Sequence, residues 1–235
     1  EITFAASSHL SVAVSNPLSY KIFDQKPEND FLKSTSVRLS KILINLSQSK
    51  ENYHLLDPFC GIGSILQQAL IMNINVTGID NDQKSVYQTK TNLSWISSKF
   101  KLRSSYNIIL GDSQKVSKFL NNNKFDAVVT EPYLGPYIKK TLTKFQASKI
   151  RQELELLYEN FFRSLKPNLK RDSIIVIVLP EFRTREKEII KLDINRLIKN
   201  NYTLYSPYEK FTTPIKFYGI NKKIIRSIYI LRNNY

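Results

Sequence analysis

Cysteine is scarce in this chain of 235 residues, which contains only Cys60. A single cysteine excludes a disulfide scaffold and a zinc site built from thiolates. Two histidines, His9 and His54, leave little else to bind a metal, and no metal site is predicted. The six glycines and nine prolines are too few for a collagen-like chain or a chain dominated by linkers.

Long hydrophobic runs are also missing. The longest, residues 174–179, is far shorter than the ~20 residues of a membrane-spanning helix and predicts a buried strand. No basic segment followed by an apolar one opens the chain, so no secretory signal is visible. We therefore expect a cytoplasmic protein without a membrane partner.

Acidic residues are outnumbered, since 20 Asp and Glu face 35 Lys and Arg and give a net charge of +15. Such an excess is typical of proteins that bind a polyanion, above all nucleic acid. The chain is also rich in Ile, Asn, Lys and Tyr, a bias that an AT-rich genome produces by itself. Charge therefore suggests a nucleic-acid partner without deciding it.

The pattern of apolar residues predicts an α/β fold. From Tyr53 onward, short apolar runs alternate with segments of helical periodicity, which is typical of a mostly parallel sheet covered by helices on both faces. The predicted strands are 53–59, 76–80, 107–112, 125–131, 174–179, 202–206 and 224–231. The predicted helices are 36–46, 83–98, 147–165 and 186–199, with shorter ones after 64 and around 116–120.

The beginning of the chain is less regular. Residues 1–30 alternate loosely like a strand at first and are then polar, which predicts an extension of strand and loop. Residues 31–235 are predicted to form one domain. Its first helix, 36–46, is amphipathic, and Ser36 or one of the two residues before it can cap its N-terminus.

Three successive predicted strands each deliver an acid to the carboxyl edge of the sheet. The first runs into residues 57–64 (Asp-Pro-Phe-Cys-Gly-Ile-Gly-Ser), the second ends in Asp80 and the third in Asp112. Ligands of α/β sheets bind at this edge, and a carboxylate can accept hydrogen bonds from a ribose diol. The acids would repel a pyrophosphate but not a sulfonium cation, which predicts a cationic cofactor that carries a nucleoside. Each acid taken alone would instead be a helix cap.

The fourth predicted strand ends in residues 130–136 (Thr-Glu-Pro-Tyr-Leu-Gly-Pro). A rigid turn with a solvated glutamate is one interpretation, because Pro and Gly are common in turns. The functional interpretation is a pocket for an exocyclic amino group. The Glu131 carboxylate and the Pro132 carbonyl would accept its two N–H groups, and the Tyr133 ring would stack on the base.

These motifs resemble the signatures of class I S-adenosylmethionine-dependent amino-methyltransferases. Residues 57–64, 78–80, 111–112 and 130–135 are similar, more narrowly, to the tRNA guanine-N2 methyltransferases of the archaeal type and their eukaryotic catalytic-subunit relatives. The resemblance covers about residues 31–231. It implies a Rossmann-like fold with a mostly parallel seven-stranded sheet and an antiparallel C-terminal strand, and methylation of guanine N2 in tRNA.

The resemblance also assigns roles to individual residues. The cofactor-binding residues would be Thr35, Asp57, Phe59, Gly61, Gly63, Asp80, Asn81, Asp112 and Ser113. Among them, Asp57 would hold the methionine end of S-adenosylmethionine, Asp80 its ribose hydroxyls, and Asp112 its adenine amino group. Glu131, Pro132 and Tyr133 would be the catalytic residues.

Two departures from the family pattern bear on function. The family usually has Asp-Pro-Pro-Tyr where this chain has residues 131–134 (Glu-Pro-Tyr-Leu), so the carboxylate reaches ~1.5 Å further and Tyr137 becomes an alternative stacking ring. The RNA-capturing THUMP module that the family carries before its catalytic domain is not found ahead of Tyr53. Either the module was cut away, or it lies on another chain, or it was never there, and tRNA binding would then involve a separate RNA-binding domain or an activator subunit.

Two other functions stay open at this point. The same acid–proline pocket would serve a DNA adenine-N6 or cytosine-N4 methyltransferase, although no target-recognition domain is obvious. Alternatively, the altered turn would leave a non-catalytic scaffold that still binds the cofactor. Methylation of a pyrimidine carbon is disfavoured, because it needs a thiolate nucleophile and Cys60 lies in the cofactor loop, where a small buried side chain is the expected role.

Overall fold

The structure, a computed structural model, describes residue 23 and residues 25–30, 34–208, 212–218 and 223–234. The strand expected in the first part of residues 1–30 lies outside these ranges. The helices are α1 (Val37–Leu46), α2 (Ser64–Ile71), α3 (Gln83–Phe100), α4 (Lys144–Leu165) and α5 (Ile194–Ile198). The strands are β1 (His54–Asp57), β2 (Asn75–Asp80), β3 (Tyr106–Leu110), β4 (Phe125–Thr130), β5 (Leu169–Arg183), β6 (Ile189–Lys191), β7 (Tyr202–Leu204), β8 (Ile215–Phe217) and β9 (Ile224–Asn233).

The strands form one sheet with the order β3-β2-β1-β4-β5-β9-β7. Neighbouring strands from β3 to β5 run parallel, whereas β9 runs antiparallel to both β5 and β7. The predicted seven-stranded, mostly parallel sheet with an antiparallel C-terminal strand is therefore confirmed. Two short strands extend it within the described residues, β6 beside β5 and β8 beside β9.

Helices cover both faces of this sheet, as predicted. In β4, Val128 packs into one buried cluster with residues of α4 and α5. Its neighbour Val129 points to the other face and packs with residues of α1, α2 and α3. Apolar residues at consecutive strand positions are needed to fill both layers, which explains the nearly continuous apolar runs in the sequence.

Helix α1 begins where its sequence predicts. The Ser36 hydroxyl accepts a hydrogen bond from the Leu39 N–H at 3.3 Å and so satisfies one of the free N–H groups of the first turn. Leu39 and Leu43 then face the buried layer on the sheet. This packing fixes the residues that precede α1, and with them Thr35, beside the first βα loop.

Two predicted helices need correction. The helix expected over 186–199 is instead strand β6 followed by the short α5, because β6 pairs with the long β5 and Asp193 caps a new helix through the N–H groups of Asn195 and Arg196. The helix around 116–120 is a 3₁₀ segment over Ser113–Phe119 with a kink at Lys115. Helical periodicity alone did not reveal either interruption.

No helix in the described part of the chain combines the length and the apolar character that crossing a membrane requires.

Candidate functional site

A cleft of about 700 Å³ opens at the carboxyl edge of the sheet, where β1, β2, β3 and β4 end. Its lining comes from the loops after these strands, from the segment before α1 and from the start of β9. The structure brings nearly all the predicted site residues together here, namely Thr35, Asp57, Phe59, Gly61, Asp80, Asn81, Asp112, Ser113, Glu131, Pro132 and Tyr133. This convergence follows from topology, since parallel strands present their carboxyl ends to the same edge.

Asp57 lies at the base of the cleft and is 1% exposed. Its Oδ1 accepts hydrogen bonds from the Thr130 hydroxyl at 2.7 Å and from the Phe59 N–H at 3.2 Å. Burial raises the pKa of Asp57 from 3.8 to about 7; the two hydrogen bonds oppose this shift, and the nearby carboxylates of Asp80 and Glu131 add to it. A cation in the cleft would stabilise the charged form of Asp57.

The loop after β1 is held against the end of β2 by Asp80. The Asp80 Oδ2 accepts the Gly61 N–H at 2.9 Å, and its Oδ1 accepts the Asp82 N–H at 3.0 Å. Gly61 has a φ of 54°, a left-handed conformation that glycine adopts without strain. A carboxylate oxygen can accept more than one hydrogen bond, so ordering this loop is compatible with a role of Asp80 in accepting hydrogen bonds from a ligand.

Gly63 is not among the residues that line the cleft in the described structure. It precedes α2 with a φ of 81°, and a Cβ there would approach the Thr89 side chain to 2.9 Å. The absence of a side chain lets α2 and α3 meet closely there, and the contact of Gly63 with a cofactor stays a prediction.

Asp112 caps the 3₁₀ segment after β3, where its Oδ1 accepts the Gln114 N–H at 2.9 Å. Asp82 likewise caps α3 through the Lys84 N–H at 3.1 Å. The sequence left open whether such acids are caps or ligands. Both capping acids also line the cleft, so each of these carboxylates caps a helical segment and also faces the cleft.

The turn after β4 forms the opposite wall of the cleft. Pro132 is buried, and the Tyr158 hydroxyl of α4 donates a hydrogen bond of 2.6 Å to the Tyr133 carbonyl. The Glu131 Oε1 accepts a hydrogen bond from the Arg226 Nε of β9. The Tyr133 and Tyr137 side chains are 57% and 72% exposed at the mouth of the cleft, so both alternatives for the stacking ring stay open.

The polar groups of the cleft are mostly acceptors. Among the described lining residues, five carboxylates face a single basic side chain, Arg226. Cys60 also lines the cleft, but burial raises the pKa of its thiol well above the ordinary value, which disfavours a thiolate nucleophile. In the described residues, no group of three or more His, Cys, Asp or Glu could hold a metal ion.

Comparison with known proteins agrees with this arrangement. A family model described as the RMKL-like methyltransferase domain matches residues 32–205. The chain belongs to this family. The tRNA (guanine(10)-N2)-dimethyltransferase of Methanothermobacter thermautotrophicus is 29% identical over 175 residues, which is 74% of this chain and 44% of that protein. These matches confirm the predicted resemblance to the archaeal-type family, and the chain spans less than half the length of that curated relative.

Solved structures confirm the predicted Rossmann-like class I methyltransferase fold of this RMKL-like domain. TrmN from Thermus thermophilus superposes with a TM-score of 0.61 at 15% identity, over 87% of this chain and 51% of that one. A precorrin-6y C5,15-methyltransferase from Geobacter metallireducens superposes with a TM-score of 0.55 at 11% identity, over 90% and 94%. At such low identities the superpositions show the fold alone.

Basic residues surround the site of the RMKL-like domain unevenly. Lys139 and Lys140 are exposed and directly follow the cleft-lining segment that ends at Ile138. Lys144, in contrast, forms an ion pair of 3.0 Å with Glu188, and the Arg185 guanidinium donates to the Thr141 carbonyl at 2.9 Å. Of these four residues, Lys139 and Lys140 are therefore the better candidates for phosphate contacts.

Three residues of the site were missed by sequence reasoning. Thr130 belongs to the acid–proline motif, and its position directly before Glu131 was the available signal for its bond to Asp57. Tyr158 and Arg226 come from a helix and a strand far along the chain. No local sequence pattern connects them to the turn, because only the packing of α4 and the register of β9 bring them there.

Proposed function

We propose that this chain is the catalytic domain of an S-adenosylmethionine-dependent RNA methyltransferase that modifies an exocyclic amino group, with guanine N2 of tRNA as its target. One observation carries the proposal: the Glu131–Tyr133 turn and the strand-end acids Asp57, Asp80 and Asp112 line the same cleft. A donor and an acceptor of a methyl group would therefore meet there. The curated relative named as a tRNA guanine-N2 dimethyltransferase supports the choice of amine.

The polar lining of the cleft fits the proposed cofactor. S-adenosylmethionine supplies a methyl group on a positively charged sulfur, and the acceptor-rich lining suits a cation. Asp57 and the Gly61 loop would hold the methionine end with Thr35, Asp80 would accept the ribose hydroxyls, and Asp112 the adenine amino group. Phe59, Asn81 and Ser113 would complete these contacts.

The turn after β4 would prepare the target amine. The lone pair of guanine N2 is delocalised into the ring, which makes the nitrogen a poor nucleophile. Hydrogen bonds from its two N–H groups to the Glu131 carboxylate and the Pro132 carbonyl would favour a tetrahedral nitrogen and free that lone pair. Glu131 would then stabilise the positive charge that develops on the nitrogen, in a site already organised for it.

The net charge of +15 supports a nucleic-acid substrate. We propose residues 31–235 as one methyltransferase domain, because β9 lies between β5 and β7 and so belongs to the sheet itself. Residues 1–30 would precede it, and tRNA capture would involve a separate RNA-binding domain or an activator subunit. A tRNA substrate agrees with the cytoplasmic location expected from the sequence.

Incubation with a labelled methyl donor and either tRNA or duplex DNA tests the proposal. Digestion to nucleosides should release labelled N2-methylguanosine or N2,N2-dimethylguanosine from tRNA. Labelled N6-methyladenine or N4-methylcytosine from DNA would contradict it in favour of a DNA methyltransferase. Cofactor binding by calorimetry without transfer to either substrate, including tRNA from several organisms, would instead establish a non-catalytic scaffold.

A further inference from the structure

Arg226 stands apart from the rest of the cleft. It is the one basic side chain among the described residues that line it, against five carboxylates. Its Nε donates a hydrogen bond to the Glu131 Oε1, and the two groups form an ion pair. The Glu131 side chain is 10% exposed and that of Arg226 is 33% exposed, so the carboxylate is largely shielded from water and the arginine is partly exposed.

The sheet fixes where this arginine lies. Arg226 is in β9, opposite Pro180 of β5 on one side and opposite Phe217 of β8 on the other. Both neighbouring strands run antiparallel to β9, and they hold its backbone by ladder pairing. The guanidinium therefore reaches the end of β4 from a rigid element, across a separation of 95 residues in the sequence.

Glu131 needs such a partner more than an aspartate would. The side chain of glutamate is one methylene longer than that of aspartate, which adds ~1.5 Å of reach and one more rotatable bond. An unrestrained glutamate would lose side-chain entropy each time it bound the target amine. A partner that holds one carboxylate oxygen reduces this cost before the substrate arrives.

We propose that Arg226 is a positioning residue for the acceptor carboxylate of this site. By binding Oε1, it fixes the Glu131 side chain so that Oε2 accepts an N–H of the target amine, and it compensates for the longer side chain. Arginine suits this task, because its guanidinium stays charged and its Nε donates in a fixed direction. The proposal rests on the proposed amine methylation at the same cleft.

A double-mutant cycle tests this role. The variants are Arg226→Gln, Glu131→Gln and their combination, with Arg226→Lys as the conservative replacement. Arg171→Gln is the control for the loss of one positive charge, since Arg171 is 77% exposed and does not line the cleft. Each protein is measured for kcat and KM with tRNA, for cofactor affinity by calorimetry, and for the free energy of unfolding by urea titration.

We expect Arg226→Gln to lower kcat roughly 10- to 100-fold, since a small misplacement of a catalytic group has effects of this size. The KM for tRNA and the cofactor affinity should stay at their wild-type values. In the Glu131→Gln background, the same substitution should change kcat little, because the carboxylate that Arg226 positions is already absent. Arg226→Lys should restore part of kcat, and the two residues should also show coupling in the free energy of unfolding.

Other results would overturn the proposal. A raised KM that depends steeply on salt, with effects on kcat that add to those of Glu131→Gln, would make Arg226 a phosphate contact instead. A kcat equal to that of the wild type would show that the pair has no role in positioning. A wild-type protein that transfers no methyl group would overturn the proposed function as well, whereas an active wild type with an unaffected Arg226→Gln variant would overturn this inference alone.

Discussion

At the scale of single residues, Asp57 is the clearest candidate for a carboxylate that a ligand would stabilise. Its carboxylate is buried at the base of the cleft, and two hydrogen bonds do not offset the cost of removing it from water, so its pKa rises to about 7. A buried carboxylate without a cationic partner among the described residues is costly. The cost is expected where a positively charged ligand completes the site.

This pKa predicts how stability depends on pH. The folded form holds the Asp57 proton more tightly than the unfolded form, so its stabilising contribution is complete below pH 3.8 and is lost as the pH rises to about 7. The difference corresponds to on the order of 4 kcal/mol. Relative to Asp57→Asn, which has no titrating group there, the wild-type protein should lose free energy of unfolding between pH 4 and pH 7.

Urea titrations of both proteins at several pH values measure this difference. The asparagine variant keeps an oxygen that can accept the Thr130 hydroxyl, so the two proteins differ chiefly in the titrating group at residue 57. Stability curves that run parallel across this range would show that Asp57 does not carry a raised pKa.

At the scale of the elements, α4 supports the turn that would bind the target amine. Tyr158 is fully buried in α4, and its hydroxyl donates to the Tyr133 carbonyl. The position of the Glu131–Tyr133 turn thus depends on a helix that packs against the sheet, and the turn is fixed before any substrate binds.

Tyr158→Phe should therefore affect both stability and turnover. It leaves the Tyr133 carbonyl without its buried donor, which should cost about 1–2 kcal/mol of unfolding free energy, and it should lower kcat by loosening the turn. Tyr202→Phe is a matched control, because the Tyr202 hydroxyl makes the same kind of buried bond to the Phe162 carbonyl, away from the cleft. The control should lose similar stability with an unchanged kcat. Equal losses of kcat in both variants would contradict a specific role for Tyr158.

Local patterns predicted the elements that depend on local chemistry. The cap at Ser36 and the acids at or just after the ends of β1, β2 and β3 were visible in the sequence, because each is encoded within a few residues. The extent of β5 was not, since Leu169–Arg183 is extended by pairing with β6 and β9 rather than by its own apolar run. The pairing of Arg226 with Glu131 was hidden for the same reason, as it depends on the register of strands distant in the chain.

At the scale of the whole molecule, charge is divided between two regions. The chain carries a net charge of +15, whereas the cleft is lined by five carboxylates and one arginine among the described residues. A basic exterior attracts a polyanion, and an acidic cleft attracts a cation. The two ligands of the proposed reaction are thus drawn to different parts of one surface.

This division of charge predicts a strong effect of salt on tRNA binding but not on cofactor binding in the cleft. Replacing both Lys139 and Lys140 by glutamine should weaken tRNA binding and reduce the slope of log affinity against log salt by about 1 for each phosphate that is no longer neutralised. Cofactor affinity should not change. Lys50 and Lys90, which are exposed and do not line the cleft, give the matched double control. The same loss of affinity in the control, or a flat response to salt in the wild type, would contradict a phosphate-binding role at the mouth of the cleft.

The most direct test of the whole account uses a single variant, Glu131→Gln, in which cofactor binding and methyl transfer are measured separately. Calorimetry measures its affinity for S-adenosylmethionine, and a labelled methyl assay on tRNA measures its turnover. We predict a turnover lower by roughly 10²–10³-fold, as for the removal of one preorganised hydrogen bond, with cofactor affinity equal to that of the wild type. A parallel loss of both quantities, or a turnover that does not change, would contradict the assignment of Glu131 to the target amine.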